Sequence, residues 1–214
     1  LGDVPCAIPM KSVDGAPRAE PERPILARTA VRHVGDPVAF VVAETLVQAQ
    51  DAAELVAVEY EEAEPIVDPV AAVAGGAPAV HDAAPDNTCF TWETGERAAV
   101  DAAFAGAAKI VDVELINNRV VVASMETRGA IAEFDPADGR YTLHSSTQGG
   151  HLLRRLLADQ IFNIPQGRIR VMTPDVGGGF GMKIFLYNEQ PMVCWAAKKL
   201  GRPVKWIGER SADA

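Results

Sequence analysis

The sequence predicts an α+β fold with a small first domain at residues 1–85 and a second domain at residues 86–214. Strand and helix patterns mix along the chain without regular β-α-β alternation, which favours α+β over a doubly wound sheet. Small residues with interspersed Gly and Pro fill residues 72–88 and indicate a linker. The 214 residues, 48% of them hydrophobic, are enough for one large domain or two small ones.

The first domain is predicted to be a β-β-α-β module that follows an extended, proline-rich arm at residues 1–25. Residues 31–34 and 37–43 flank a Gly-Asp pair and predict a β-hairpin. Thr45, with Gln48 three residues later, predicts the capping box of a helix. Residues 57–61 then alternate in polarity, like a strand with one exposed face.

The second domain is predicted to begin with a strand, an Ala-rich helix and a long strand, at residues 89–94, 97–107 and 109–124. A turn sequence with Pro136 and Gly139 joins residues 129–134 and 140–147 into a hairpin. The remaining elements are a helix from Leu152 that ends by Ile164, a strand at 168–173, a helix from Asn188 to Gly201 and a strand at 203–207.

Composition excludes several classes of protein. A net charge of −9 without runs of Lys or Arg argues against nucleic-acid binding. No apolar stretch approaches the roughly 20 residues of a transmembrane helix. Three widely spaced cysteines offer neither a disulfide framework nor a CxxC metal site, and they indicate reduced thiols and a cytoplasmic location. Because the chain starts at Leu1 and ends just after an apolar run, we expect a fragment.

The most informative segment is a glycine-rich loop at residues 173–183. Gly177, Gly178, Gly179 and Gly181 directly follow a predicted strand, so backbone N–H groups can approach a ligand closely. Neither a Walker loop nor a GxGxxG fingerprint fits the spacing. A tight turn and a ligand-binding loop are equally compatible with these glycines, and Phe180 favours the ligand.

A second candidate is the turn at residues 145–151, between a predicted strand and a predicted helix. The helix N-terminus there attracts anions, and the Gln148 amide offers a further donor. An ordinary helix cap with glycine spacers explains the same residues. Two glycine-rich turns at strand ends favour a polyanionic ligand. The four histidines lack metal-ligand spacing, so the sequence predicts neither a metal site nor a self-sufficient catalytic group.

These motifs together resemble a known family. Val34-Gly35-Asp36-Pro37-Val38-Ala39 resembles the α/β hammerhead domain of xanthine dehydrogenase and aldehyde oxidase large subunits. Met125-Glu126-Thr127-Arg128, Asp175-Val176-Gly177-Gly178-Gly179-Phe180-Gly181-Met182-Lys183 and Gly201-Arg202-Pro203-Val204-Lys205-Trp206 resemble the start of the molybdopterin-binding domain that follows it. The resemblance implies a hammerhead at 1–85 and the N-terminal portion of a mixed α+β molybdopterin-binding domain at 86–214.

The resemblance implies a molybdenum hydroxylase that oxidises an aldehyde, carbon monoxide or a heterocycle with oxygen from water. The cofactor is then molybdenum with molybdopterin or its cytosine dinucleotide, and the metal is held chiefly by the pterin dithiolene. By resemblance, Gln148 lies beside the metal's oxo ligand, and the backbones of Phe180 and Gly181 pack against the same centre. Gly177, Gly178 and Gly179 let the loop approach the cofactor.

The resemblance also sets limits on this chain. Purine-hydroxylating members carry Glu where this chain has Ile184, which disfavours a purine substrate. The family's catalytic glutamate lies beyond residue 214, so we expect the chain to be inactive alone. Iron–sulfur and FAD-binding subunits or domains are the implied partners, together with the rest of the large subunit. Two alternatives stay open: a non-catalytic binding or assembly module, and an unrelated protein whose glycine loops hold a nucleotide.

Overall fold

A computed structural model describes residues 1–6, 10–118 and 120–211. The chain forms two compact units, each assembled from separate stretches of sequence. One unit comprises Leu1–Ala7, Glu22–Pro65 and Val122–Ala214, and the other comprises Ile8–Pro21 and Ile66–Val121. The mixture of helices with one small mixed sheet confirms the predicted α+β class.

The first unit contains a four-stranded sheet. Its strands are β1 (Gly129–Asp135), β2 (Arg140–Ser145), β3 (Ile169–Met172) and β4 (Val204–Ile207), in the order β3-β2-β1-β4. β1 pairs antiparallel with β2 and with β4, whereas β2 and β3 are parallel. The carboxyl ends of β2 and β3 therefore lie at the same edge of the sheet.

The helices divide between the two units, and most belong to the first. That unit contains α1 (Leu46–Glu54), α4 (Gly150–Leu156), a π-helix (Leu157–Phe162), α5 (Glu189–Leu200) and 3₁₀ turns at Gln166–Arg168 and Met182–Ile184. The second unit contains α2 (Pro69–Ala72) and α3 (Arg97–Gly106). Within the described ranges, no helix is both long and apolar enough to cross a membrane.

The core of the first unit lies between α5 and the sheet. α5 packs against β1, β2 and β4, and α4 packs against β3. Leu143, Val193 and Cys194 are fully buried there. The two ends of the predicted arm, at residues 1–6 and 22–25, contribute to the same core, because Val4 and Ile25 are buried and backbone hydrogen bonds join Val4 to Arg23 and Ile25 to Gly2. The sequence predicted only that this arm is extended.

Predictions that rest on local chemistry agree with the structure. The hairpin forms as β1 and β2, and α3 matches the predicted helix. Thr45 and Gln48 form both bonds of the capping box at α1. Asn188 stands at the N-cap of α5 as expected, but its side chain makes no capping bond. It donates instead to the carbonyl oxygen of Ile25 at 3.0 Å, which anchors the N-terminal arm.

All five strands predicted between residues 31 and 124 are wrong over the residues that the structure describes. The residues at 31–34, 37–43, 57–61 and 89–94 form no strand, and neither do the described residues of 109–124. A strand exists only where its backbone groups pair with a neighbour. Most apolar side chains in these stretches are exposed, among them Val34, Tyr60 and Leu115, whereas Phe40 is half-buried against the core. Alternating polarity therefore marked extended backbone without supplying the partner that a sheet requires.

Candidate functional site

The two loops singled out by the sequence meet at one edge of the sheet. One follows β2 and carries Gln148, and the other follows β3 and carries the glycines at 177–181. Because β2 and β3 are parallel neighbours, both loops leave the sheet in the same direction. The backbone N–H of Gln148 donates to the carbonyl oxygen of Lys183 at 2.9 Å, and the Thr147 hydroxyl donates to the same oxygen at 2.9 Å.

The side chain of Gln148 rests directly on the glycine-rich loop. A Cβ at Gly179 would stand 2.5 Å from Gln148 Oε1 and 2.7 Å from its Cγ, so only glycine leaves room for this contact. Gln148 Oε1 accepts a hydrogen bond of 3.0 Å from the N–H of Gly181. With the oxygen engaged by the backbone, the donor that Gln148 offers to a ligand is its Nε2 group.

Gly177 makes an equally close contact with Glu126, which lies shortly before β1. A Cβ at Gly177 would stand 2.5 Å from Glu126 Cβ. The Gly177 N–H donates to Glu126 Oε2 at 2.8 Å, and the Glu126 N–H donates to the Gly177 carbonyl oxygen at 3.0 Å. These reciprocal bonds fix the start of the loop to the segment that precedes the sheet.

Phe180 occupies the tip of the loop in an unusual conformation. Its φ is +51°, in the left-handed region that costs a non-glycine residue on the order of 1–3 kcal/mol. Its side chain is 78% exposed, so burial of the ring does not offset that cost. Gly178 and Gly181 beside it also have positive φ values, +99° and +89°. Strained backbone that presents an aromatic ring to solvent is typical of ligand contacts.

An ion pair between a buried lysine and a partly exposed glutamate stands beneath the loop. The Lys183 side chain is 1% exposed, and its Nζ lies 2.8 Å from Glu126 Oε2 and 2.9 Å from the Glu126 carbonyl oxygen. Burial raises the pKa of the Glu126 carboxyl, but the hydrogen bonds from Lys183 and Gly177 and the charge of Lys183 outweigh it. The pKa of Glu126 is therefore lowered, and the carboxylate is charged at neutral pH.

A cleft of about 490 Å³ opens beside Gln148, between α4 and β3. His151, Arg154 and Arg170 contribute basic side chains to it, and none of its lining residues is acidic. The N-cap of α4 is Gly149, which has no side chain to cap the helix. Its N–H donates to the Thr147 hydroxyl at 3.1 Å. The basic groups that favour an anion at this edge are therefore side chains along the cleft.

The structure brings all six sequence-predicted binding residues together: Gln148, Gly177, Gly178, Gly179, Phe180 and Gly181. It also reveals the Glu126–Lys183 pair, to which the sequence assigned no role. Both residues stand inside recognised motifs, yet 57 positions separate them, and no spacing rule pairs them. The one available signal is the placement of a lysine directly after a glycine-rich loop, where a buried ammonium needs a partner.

Comparisons with known proteins identify the family. The profile of the molybdopterin cofactor-binding domain matches residues 80–214, which is more than half of the chain, and that of the aldehyde oxidase and xanthine dehydrogenase α/β hammerhead domain matches residues 6–64. The chain belongs to the molybdenum hydroxylase large-subunit family. The resemblance inferred from the motifs is thereby confirmed.

Among molybdenum hydroxylases, the chain is 35% identical to the carbon monoxide dehydrogenase large chain of Hydrogenophaga pseudoflava, covering 87% of this chain and 24% of the relative. It is 37% identical to the nicotine 6-hydroxylase large subunit of Paenarthrobacter nicotinovorans, covering 87% and 22%. The solved quinoline 2-oxidoreductase from Pseudomonas putida 86 superposes with a TM-score of 0.80 at 37% identity, covering 90% and 24%. The chain thus spans about a quarter of the length of these relatives.

The residues at the glycine-rich loop of this chain fit a molybdopterin cofactor. Gly177 and Gly179 lack the Cβ atoms that would fill the space beside Glu126 and Gln148. The groups that converge at the loop are backbone N–H groups and one side-chain amide, which bind by hydrogen bonding rather than by ligating a metal. The basic cleft beside them suits the anionic part of such a cofactor.

Proposed function

We propose that the complete protein is a molybdenum hydroxylase and that this chain supplies part of its cofactor site. The observation that carries the proposal is the close contact between the Gln148 side chain and Gly179. Any side chain at position 179 would displace the Gln148 amide. This contact fixes the Gln148 amide, so that its Nε2 group can donate a hydrogen bond to a ligand at the loop. A preorganised donor of this kind needs no rearrangement when its ligand arrives.

Each residue of the chain has a binding or orienting role in this proposal. Gly177, Gly178 and Gly179 keep the loop thin enough for the cofactor to lie against the backbone. Gln148 donates from Nε2, and Phe180 and Gly181 pack against the cofactor with their backbones. When bound, the molybdopterin group supplies the two-electron oxidation chemistry. None of these groups transfers a proton, and the general base is contributed by the part of the protein beyond residue 214.

The proposed substrate is an aldehyde, carbon monoxide or a heterocycle, with the inserted oxygen taken from water. Relatives named for carbon monoxide, nicotine and quinoline support this range. Ile184 stands next to the buried Lys183 and offers an apolar side chain that is 37% exposed. A hydrocarbon group there provides no charged partner for a purine, so purine hydroxylation is the disfavoured outcome.

The proposed partners are iron–sulfur and FAD-binding subunits or domains that accept the electrons. Relatives named as a large chain, a large subunit and a subunit gamma of a dehydrogenase complex support a multi-subunit assembly. Since the chain spans about a quarter of its relatives, turnover is expected only from the complete assembly.

The test is elemental analysis of the purified complete subunit for molybdenum, combined with pterin fluorescence after oxidation. Stoichiometric molybdenum and pterin in the wild-type protein, with loss of both in Gly179→Val, support the proposal. A well-folded complete protein that contains neither overturns it and favours the non-catalytic module. Gly75→Val is the matched control, since Gly75 lies outside the cleft and a Cβ there meets no atom within 4 Å.

A further inference from the structure

Lys183 is the least exposed charged residue that the structure describes, with 2% of the whole residue accessible to solvent. An ammonium group this deeply buried is costly unless it is paired and hydrogen-bonded. Here it is both, because Nζ contacts a carboxylate oxygen and the carbonyl oxygen of the same residue, Glu126. The binding roles proposed above do not use this pair.

The contacts of Lys183 connect three separate segments of the site. Its ammonium holds the segment that contains Glu126, and its carbonyl oxygen accepts hydrogen bonds from Gln148 N–H and the Thr147 hydroxyl. Glu126 in turn exchanges two hydrogen bonds with Gly177, at the start of the glycine loop. One residue therefore connects the loop, the Gln148 turn and the approach to β1.

The segment around Glu126 is also held by hydrogen bonds from a neighbouring residue and from a residue near the end of the chain. The Ser124 hydroxyl donates to the Glu126 carbonyl oxygen at 2.7 Å. The Arg210 guanidinium, which follows β4, donates to the carbonyl oxygens of Ser124 and Met125. These bonds hold the backbone around Glu126 in place where Lys183 contacts it.

We propose that Lys183 is a positioning residue: through Glu126 and its own carbonyl oxygen it sets the spacing between the glycine loop and Gln148. This inference rests on the proposed function, because the spacing matters only if both groups face one ligand. Without the pair, the Glu126 carboxylate is no longer held in place against the Gly177 N–H, and the backbone of Lys183, which binds Gln148, is no longer tied to Glu126. The loop then samples separations at which Gly181 N–H no longer reaches Gln148 Oε1.

A residue that only stabilises the fold would make a different prediction. Loss of stability alone accelerates backbone exchange throughout the first unit, whereas loss of positioning accelerates it at the two loops. Hydrogen exchange followed by mass spectrometry distinguishes the two cases. It is measured on the cofactor-free complete subunit, so the result does not depend on a loaded active site.

The variants are Lys183→Met and Glu126→Gln. Glutamine has nearly the same size as glutamate but carries no charge. The matched control is Glu189→Gln, which uncharges another pair, Arg128 Nε to Glu189 Oε1, of the same 2.8 Å length. If Lys183→Met does not fold, Glu126→Gln decides the matter.

In both test variants, peptides covering residues 145–149 and 174–185 are expected to exchange about tenfold faster, the effect of losing a hydrogen bond to a charged group. Peptides of β1 and α5 should stay within about twofold of wild type. Glu189→Gln should leave the two loop peptides within the same limit.

Uniform acceleration in the test variants, or unchanged exchange at the loops, would overturn the positioning role. Molybdenum analysis of the wild-type subunit is performed in parallel. If wild type lacks molybdenum, the proposed function fails regardless of the exchange result. If wild type binds molybdenum and Lys183→Met exchanges like wild type at the loops, the positioning role fails alone.

Discussion

Adding one methyl group at Gly179 should separate the function of the site from the stability of the fold. In Gly179→Ala the new Cβ would stand 2.5 Å from Gln148 Oε1 and 2.7 Å from Gln148 Cγ, closer than real Cβ atoms come. Gln148 is exposed, so its amide can swing toward solvent and relieve the overlap. The φ of Gly179 is outside the left-handed region, so alanine adds no backbone strain.

The two expected magnitudes differ. When the Gln148 amide moves, the Gly181 N–H loses its acceptor but gains access to water, which costs about 0.5–1.5 kcal/mol of folding free energy. Loss of one preorganised donor from an active site lowers turnover by about 10²–10³-fold. Gly179→Ala should therefore reduce activity far more than it reduces stability.

The assay uses the complete subunit in its assembly, with molybdenum content, turnover and thermal unfolding measured on the same preparation. Gly75→Ala is the control, because Gly75 lies outside the cleft, a Cβ there meets no atom within 4 Å and its φ is not positive. It should match wild type in all three measurements.

A double-mutant cycle with Gln148→Ala shows whether the methyl group acts through the amide. Once Gln148 is truncated, Gly179→Ala has little left to displace, so the losses in turnover should be strongly non-additive. Additive losses, or a drop in the unfolding temperature that matches the drop in activity, would refute the reasoning.

Three further predictions address the loop and the core. Because the pKa of Glu126 is lowered in the folded protein, its stabilising contribution is complete above the ordinary value of 4.5 and is lost as pH falls through the folded-state value. Exchange at residues 174–185, relative to β1, should therefore accelerate below pH 4.5, and an unchanged ratio in wild type would contradict this. Phe180→Gly removes a positive-φ side chain, so the free energy of unfolding, measured by denaturant titration, should rise by about 1 kcal/mol. A destabilised variant would argue against strain. Burial raises the pKa of Cys194 to about 12, so iodoacetamide at neutral pH should modify this thiol only after unfolding, as peptide mass spectrometry can show. Rapid native labelling would mean that the helix opens.

Local chemistry made much of the second half of the chain predictable. The turn from Asp135 to Gly139 specifies the β1–β2 hairpin by itself, and Pro165 limits the preceding helix, which ends with Asn163 in the left-handed region. The stretch at residues 37–43 has the same β-branched character as a true strand. It forms none, because pairing depends on a partner that the pattern of one segment does not reveal.

The site was predictable to the extent that single residues carry it. Glycines reveal close approach, and a loop after a strand has a known direction, so the residues at 177–181 could be singled out. The neighbours that make each glycine necessary could not be, since Glu126 and Gln148 lie 51 and 31 positions before Gly177 and Gly179. Contacts over such separations follow from the packed sheet.

The pairing of β1 with β4 has a consequence for the order in which the chain leaves the ribosome. β2 follows β1 directly, but the other edge of β1 has no partner until Val204–Ile207 emerge. During that interval Ala130, Ile131 and Ala132 lie on an open strand edge, and such edges recruit other strands. A nascent or truncated chain that stops before Val204 is therefore the form of this protein most exposed to aggregation.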